Sequence, residues 1–337
     1  MSNIRWKLAD SEQPQLAMFG RAHRRVGKGE YRGLEFLEVE TKKLITKTPG
    51  GPRYGFAYSI NAYRGCSHAC TYCFARPTHE YLDLNGGKDF ETKIIVKTNG
   101  IERARYEMAP ARWAGELIAM GTNTDPYQPA EGKYRLTRGI LEVMVEYGNP
   151  TAILTKSPLA LRDLEVIKEL SMRADVRVDF SVGTLDDEVW KATEPGTPHP
   201  RRRIEAVARF REAGIQSGVL MGPILPGLSD SPEQLAEVVE AAAAAGAVSI
   251  GGIPLHLKGS VAQHYYDKLD EFRPDLIPRY RRHFAGRGEA PKEYADRISA
   301  TLKELKKRRA TDRRDHLDDA PTLARQRQAE AQMTLPV

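Results

Sequence analysis

The sequence has little cysteine and no long apolar run. Its 337 residues contain three cysteines, an odd number that argues against the disulfide framework of a secreted protein. No apolar run reaches the roughly 20 residues of a membrane span, and the N-terminal segment lacks the basic-then-apolar order of a signal peptide. We therefore expect a cytoplasmic protein of a reducing compartment, without a membrane partner.

The three cysteines lie within eight consecutive residues, CSHACTYC, as Cys66, Cys70 and Cys73. Such a cluster indicates a metal site rather than thiols scattered through a core. Three thiolates can hold an iron-sulfur cube and leave one iron open to a small molecule. Two alternatives stay open on the residues alone: a closed zinc site completed by His68 or His79, and three buried structural cysteines.

The net charge of +6 is concentrated in two flanking segments. Residues 21–53 carry nine Lys or Arg against four Glu, and residues 297–316 carry eight against three acidic residues. Basic segments attract polyanions such as nucleic acid, but the same pattern is typical of a solvated helix face or a soluble tail. Nucleic acid is therefore a candidate partner, and a role in solubility is the alternative.

Between about residues 57 and 254, short β-branched runs alternate with longer amphipathic ones. This alternation predicts an α/β fold with parallel strands and crossover helices. Successive units of this kind curl into a barrel or a partial barrel, and functional residues follow the C-terminal ends of the strands. The predicted strands are AYSINAY, TKIIVKT, ELIAMGT, TAILTKS, VRVDFSV, QSGVLMG and VSIGGIP.

The chain divides into four predicted parts. Residues 1–54 form a polar basic extension with one strand-like run, LEFLEVE, and residues 55–258 form the core barrel. Residues 259–285 are expected to be helices that pack on the barrel. Residues 286–337 form a charged tail, which we expect to be partly disordered beyond a basic helix.

The loops after the predicted strands are rich in hydroxyl groups, glycine and proline. Glycine lets a backbone approach adenine or ribose closely, and hydroxyls can bind ribose oxygens or a carboxylate. A strand-end cation such as Lys156 could form a charge-assisted hydrogen bond with a carboxylate, although exposed lysines are also common at such positions. The loops are GTNTDPYQPAE, TKSP, FSVGT, GPILPG and IPLHLKG.

The spacing CxxxCxxC, with Tyr72 before the last cysteine, resembles the radical S-adenosylmethionine superfamily. The resemblance implies a 4Fe-4S cluster whose fourth iron chelates the amino and carboxylate groups of S-adenosylmethionine. It implies reductive cleavage to a 5'-deoxyadenosyl radical, with electrons from a donor such as flavodoxin or ferredoxin. It also implies a TIM-like partial (β/α)6 barrel, open on one side, with N- and C-terminal extensions.

Further segments, over residues 55–285, are similar to the spore photoproduct lyase-like branch, and in particular to its actinobacterial-type members. The resemblance implies that Lys156 and Ser181, after the fourth and fifth strands, contact S-adenosylmethionine. Phe74, after the last cysteine, matches an aromatic residue that packs near adenine in the family; a core residue is the alternative. Gly222 begins a further strand-end loop that is expected to contact the cosubstrate. The segments are TKIIVKTN, GTNTDPYQPAE, TKSP, FSVG, EPGTP with RRRIEAV, and GPILPGLSD.

Two features depart from the family pattern. The glycine-glycine-glutamate motif is absent, with KTNGIE in its place, so we expect Asn123, Thr124 or Asp125 to recognise the amino group. A fourth cysteine, the hydrogen-atom donor of the lyase, is also absent, which makes Tyr127 a candidate donor; a buried structural tyrosine is the alternative. Nucleic-acid, small-molecule and peptide substrates stay open.

The alternative function is a non-catalytic iron-sulfur or zinc-binding module whose basic flanks bind nucleic acid or a protein partner. Such a module has no use for the polar loops at the strand ends, because it binds no cosubstrate there. The loops therefore favour the enzyme over the module.

Overall fold

The computed structural model describes residues 15–16, 20–48, 55–109, 111–286 and 288–309. Within them, strands alternate with helices as the apolar pattern predicts. The helix Leu136–Tyr147, for example, buries Ile140, Leu141 and Met144 and ends at Gly148, whose φ of 57° is the left-handed conformation that glycine adopts readily. Local sequence thus determines both the buried face and the end of this helix.

The strands are numbered in chain order. Along the chain, β6 and β7 precede the cysteine segment, and β8 follows it. The strands are β1 (Gln15–Leu16), β2 (Gly20–Arg21), β3 (His23–Val26), β4 (Glu35–Val39), β5 (Ile45–Lys47), β6 (Tyr58–Ile60), β7 (Tyr63–Arg64), β8 (Lys93–Lys97), β9 (Ile118–Met120), β10 (Thr151–Thr155), β11 (Val176–Ser181), β12 (Gln216–Ile224) and β13 (Ile250–Pro254).

The helices connect the strands and cover the sheet. No helix in the described ranges is both long and apolar enough to span a membrane. The helices are α1 (Lys88–Thr92), α2 (Gly100–Glu107), α3 (Pro129–Tyr134), α4 (Leu136–Tyr147), α5 (Leu164–Ser171), α6 (Asp187–Thr193), α7 (Pro200–Glu212), α8 (Pro232–Ala244), α9 (Ser260–Phe272), α10 (Ile277–His283) and α11 (Lys292–Arg309).

The main sheet has seven strands in the order β13-β12-β11-β10-β9-β6-β5. Six of them, β6 and β9 to β13, run parallel to their neighbours, and β5 is an antiparallel edge strand. In the described part of the chain β13 does not pair with β5, so the sheet is open. The predicted α/β fold with parallel strands, a partial rather than closed barrel, is confirmed.

One predicted barrel strand, TKIIVKT, lies elsewhere. It forms β8 in a second sheet of order β3-β4-β8-β7, parallel to β4 and antiparallel to β7. The main sheet has no place for it beside β6, because β6 pairs directly with β9 on one side and with β5 on the other. Lys156 therefore follows the third parallel strand and Ser181 ends the fourth, rather than following the fourth and fifth.

The N-terminal segment contributes to this second sheet. The strand-like run LEFLEVE forms β4, in which Phe36, Leu37 and Val39 are buried. Strand β3 pairs with β4, and its Arg24 is bonded to Glu35 on that strand. Two of the nine basic residues of this flank, Arg24 and Arg25, therefore lie on an ordered edge strand.

The C-terminal basic segment begins as an ordered helix. In α11, Ile298 and Leu302 are buried in the main core, and Arg297 pairs with Asp230 at 3.3 Å. The first two turns of this flank are therefore part of the folded structure. Residues 310–337, for which we predicted disorder, lie outside the described residues, and the division into four parts stays a prediction.

Candidate active site

A cavity of about 270 Å³ opens at the C-terminal ends of the parallel strands. Loops that are far apart in sequence meet there, because the parallel strands present their carboxyl ends at one edge of the sheet. The lining residues are Cys66, His68, Cys70, Tyr72, Cys73, Phe74, Gly121, Asn123, Thr124, Asp125, Leu154, Thr155, Lys156, Ser181, Leu220, Gly222, Pro223, Ile253, Pro254, Leu255 and His256. The structure thus unites the three cysteines with seven of the eight other predicted site residues.

The three thiols are free of disulfides and line this cavity. Cys66 and Cys70 are buried, and Cys73 is half-buried. Burial raises the pKa of each thiol, that of Cys70 to about 12. Because a coordinated metal deprotonates a thiol outright, the set is suited to a bound cationic metal group, and its donor chemistry fits an iron-sulfur cluster.

Arg76 forms hydrogen bonds with the backbone of the cysteine segment (residues 66–73, hereafter the cluster loop). Its side chain is 1% exposed, and its guanidinium donates to the carbonyl oxygens of Cys70, at 2.8 and 3.1 Å, and of Ala69, at 3.3 Å. Ala69 has a φ of 53°, a conformation rare for a residue with a side chain. Arg76 therefore stabilises a turn that alanine alone would not favour.

A second loop, residues 193–197, also forms hydrogen bonds with the cluster loop. Thr71 N donates to Thr193 O at 2.9 Å, and Gly196 N donates to His68 O at 3.1 Å. A Cβ atom on Gly196 would lie 2.2 Å from Ser67 O, so only glycine permits this approach. The EPGTP segment thus packs against the cluster loop.

Lys156 and Ser181 meet on the cavity wall. Lys156 Nζ donates to Ser181 Oγ at 2.6 Å, lies 3.1 Å from Glu194 Oε1, and donates to Gly222 O at 3.3 Å. Ser181 Oγ in turn donates to Gly222 O at 2.8 Å. The ammonium group therefore uses all three of its donors within the protein.

Two residues that the sequence analysis missed, Glu194 and Arg203, complete this cluster. Glu194 is 3% exposed and Arg203 is fully buried, with Arg203 Nη2 2.6 Å from Glu194 Oε2. Glu194 also accepts a short hydrogen bond from the Tyr72 hydroxyl. Burial alone would raise the pKa of Glu194, but Arg203 and Lys156 hold it well below its usual range. The carboxylate is therefore ionised.

Of the three residues predicted to recognise the amino group, two already have partners. Asp125 accepts from Tyr127 N at 2.8 Å, Thr155 Oγ1 at 2.6 Å and Lys156 N at 2.6 Å, and Thr124 Oγ1 donates to Tyr63 O at 3.1 Å. These contacts use most of the acceptor capacity of Asp125.

The third residue, Asn123, differs. Its backbone N–H donates to Asn61 Oδ1 at 3.2 Å, while its side-chain amide makes no hydrogen bond within the described residues and lines the cavity. It is therefore the most available polar group of the three.

Phe74, Gly222 and Tyr127 occupy different positions. Phe74 lines the cavity and is 68% exposed, so it is a rim residue rather than a core residue. Gly222 presents its carbonyl oxygen to Lys156. Tyr127 is fully buried and is not among the lining residues. The structure therefore does not bring Tyr127 to the cavity, and its role as hydrogen-atom donor stays a prediction.

Of the two histidines of the zinc alternative, only His68 lines the cavity. Its Nδ1 lies 3.4 Å from Asp125 Oδ2, whereas His79 Nε2 bonds to Lys93 O at 3.0 Å, outside the cavity. Across the described ranges, no group of three or more His, Cys, Asp or Glu side chains is arranged around a single metal ion. A zinc ion binds all its ligands at one metal centre, whereas in an iron-sulfur cube each thiolate binds a different iron.

Comparisons with known proteins agree with this geometry. Residues 60–242 match the radical SAM superfamily. An uncharacterised protein of Mycobacterium tuberculosis is 41% identical over 289 residues, which are 86% of this chain and 85% of the relative. A radical SAM Nalpha-GlyT isomerase of Pseudomonas phage M6 is 24% identical over 178 residues, 52% of this chain and 35% of the relative.

The fold is also similar to a solved structure. Spore photoproduct lyase complexed with dinucleoside spore photoproduct superposes with a TM-score of 0.62 at 16% identity, over 81% of this chain and 79% of the lyase. At this identity the similarity concerns the fold alone.

Proposed function

This chain belongs to the radical SAM superfamily, and on that basis we propose that Cys66, Cys70 and Cys73 hold a 4Fe-4S cluster at the mouth of the partial barrel. When bound, such a cluster supplies the electron for reductive cleavage of S-adenosylmethionine to a 5'-deoxyadenosyl radical. The observation that carries the proposal is the shared cavity, which is lined by three thiols with no disulfide partner, by a cation and by hydroxyl groups.

Lys156 and Ser181 are suited to bind the methionine carboxylate. Lys156 Nζ already contacts Ser181 and Gly222 O, and its contact with Gly222 O, at 3.3 Å, is the longest and weakest. A carboxylate oxygen is a stronger acceptor than a peptide carbonyl, so it can take that position on the ammonium group. Ser181 can rotate its hydroxyl from Gly222 O to the same carboxylate.

The other polar and aromatic groups suit the rest of the cosubstrate. Asn123 offers a side-chain oxygen to the amino group, since Asp125 and Thr124 are engaged. Phe74, at the rim, offers a flat apolar face of the kind on which an adenine stacks. The electron comes from an external reductant, for which flavodoxin or ferredoxin is the proposed class.

We place nucleic acid first among the substrate classes. The two basic flanks favour a polyanion, and the lyase that shares the fold was solved with a dinucleoside photoproduct. The chain has no fourth cysteine, so a reaction that needs a thiol as hydrogen-atom donor does not fit it.

The function is tested by anaerobic incubation of reconstituted protein with dithionite and S-adenosylmethionine. We expect 5'-deoxyadenosine to accumulate, and to accumulate faster when the nucleic acid that contains the substrate is present. Chromatography of the quenched reaction measures it, and a reaction without dithionite is the control. A reconstituted, iron-loaded protein that forms no 5'-deoxyadenosine would contradict the proposal.

The basic helix α11 provides a test of the nucleic-acid partner. Lys303 and Lys307 are exposed on it, so the double variant Lys303→Gln, Lys307→Gln should bind DNA less tightly and less salt-dependently. The log-log salt slope should become less negative by about 0.9 for each phosphate that the variant no longer neutralises on duplex DNA, or about 0.7 on single strands. Fluorescence anisotropy with labelled oligonucleotides at several salt concentrations measures this slope.

Substitution is preferable to truncation here, because α11 also contributes Ile298 and Leu302 to the core. A matched control replaces two exposed lysines on barrel helices, Lys168→Gln and Lys191→Gln, and should leave the slope unchanged. Equal slopes for the two double variants would assign the basic residues of α11 to solubility. A small-molecule or peptide substrate would then be favoured.

A further inference from the structure

Glu194 joins three parts of the site that are distant in sequence. Its carboxylate accepts from the hydroxyl of Tyr72 in the cluster loop, and it lies 3.1 Å from Lys156 Nζ and 2.6 Å from Arg203 Nη2. The backbone beside it bonds to the same loop, through Thr193 O and Thr71 N. A movement of this carboxylate would therefore displace both the cluster loop and Lys156.

The side chain of Arg203 is held in place by the protein, whereas that of Lys156 can move. It is fully buried, and its guanidinium donates to Ser181 O at 2.9 Å, to Thr197 Oγ1 at 2.6 Å and to Pro198 O at 2.8 and 3.0 Å. Lys156, by contrast, has a side chain that is 13% exposed at the cavity. Of the two cations that share Glu194, only Lys156 is free to move toward solvent.

The net charge of the side chains around Glu194 is suited to one anionic ligand. Lys156, Arg203 and Glu194 together carry one net positive charge, and a buried charge of this kind requires a counter-ion. The methionine carboxylate supplies one negative charge. The carboxylate of Glu194 thus neutralises one cation permanently and leaves the charge of the other for the ligand.

We infer that Glu194 is a positioning residue of the S-adenosylmethionine site, which holds Lys156 against Ser181 and Tyr72 so that its ammonium group faces the methionine carboxylate. The inference rests on the proposed function. Without the negative charge, Lys156 and Arg203 would be two desolvated like charges in contact range of one neutral group. Lys156 would then turn toward solvent, and the cavity would lose its cation.

The variant Glu194→Gln keeps the shape of the side chain and removes its charge. We expect its affinity for S-adenosylmethionine to fall by about 10-fold or more, which is the loss of one charge-assisted hydrogen bond, with an unchanged iron content. Affinity for 5'-methylthioadenosine, which has no carboxylate, should stay within about twofold of wild type. Calorimetry on anaerobically reconstituted protein measures both affinities.

Glu131→Gln is the matched control. Glu131 is also a fully buried glutamate that accepts from a tyrosine hydroxyl, Tyr63, and pairs with an arginine, Arg162, at 2.8 Å, but it does not line the cavity. It should lose stability and keep both affinities. Should Glu194→Gln fail to fold, Glu194→Asp keeps the charge but draws it away from Lys156, and the same selective loss is expected.

The outcomes separate the two proposals. Equal loss of both ligands in Glu194→Gln would mean a merely structural role, and tighter binding of S-adenosylmethionine would mean that Glu194 only repels the carboxylate; either overturns the inference and leaves the proposed function standing. A reconstituted wild-type protein that binds no S-adenosylmethionine would overturn the proposed function itself, and the inference with it.

Discussion

Replacement of Cys66, Cys70 or Cys73 by alanine is expected to abolish cluster binding. Reconstituted wild-type protein should contain about four irons and four sulfides per chain, because three thiolates suffice for a cube with one open iron. Each variant has only two thiolates left, and the sequence contains no other cysteine to replace the third. Iron and sulfide analysis after anaerobic reconstitution, together with the visible absorption of the brown protein, measures the loss.

The variant His68→Ala distinguishes an iron-sulfur cluster from a zinc site. His68 lines the same cavity but is not expected to hold the cluster, so the variant should keep its iron. In a zinc site completed by His68, the same substitution would release the metal. Stoichiometric zinc in the wild-type protein, with no uptake of iron under anaerobic conditions, would contradict the cluster and favour the binding-module alternative.

Features that depend on local sequence patterns are the most predictable part of this fold. Helix α8 begins where an N-cap serine, a first-turn proline and a capping-box glutamine place it, and both capping-box bonds form between Ser231 and Gln234. The loops at the strand ends were equally predictable, since parallel strands all present their carboxyl ends at one edge. Six parallel strands therefore sufficed to bring Lys156 and Ser181 to the cysteines.

Pairings between distant segments were less predictable. The sequence of β8 reads as a buried strand and does form one, but nothing within it indicates that its neighbours are β4 and β7 rather than β6. Tyr127 lies in a polar strand-end loop, yet its ring is fully buried. Burial of one residue within a polar loop depends on the packing of the loop as a whole.

Glu194 was missed for a related reason. A glutamate before Pro195 and Gly196 resembles any turn residue, and its partners Lys156 and Arg203 lie 38 and 9 positions away. The available signal was the segment EPGTP followed by three arginines, which places a carboxylate near several cations without indicating which of them is buried. Only the fold shows that Arg203 is the one that turns inward.

Lys156→Met is expected to weaken S-adenosylmethionine binding by roughly 10- to 150-fold, the value of a charge-assisted hydrogen bond of about 1.5 to 3 kcal/mol. Methionine keeps an unbranched apolar stem over the Tyr72 ring, to whose centroid Lys156 Nζ now lies at 5.6 Å. Ser181→Ala should cause a smaller loss, because it removes a neutral hydroxyl. Calorimetry on reconstituted protein measures both affinities, and iron content should stay at the wild-type value.

Lys133→Met is the matched control for Lys156→Met. Lys133 also lies over aromatic rings, 5.0 Å from the centroid of Phe36 and 5.3 Å from that of Tyr134, but it is outside the cavity. Its loss should change neither affinity nor iron content. If Lys156→Met and Ser181→Ala both bind S-adenosylmethionine as tightly as wild type, these residues do not contact the carboxylate. Asn123 and the backbone of the strand-end loops would then have to provide the contacts.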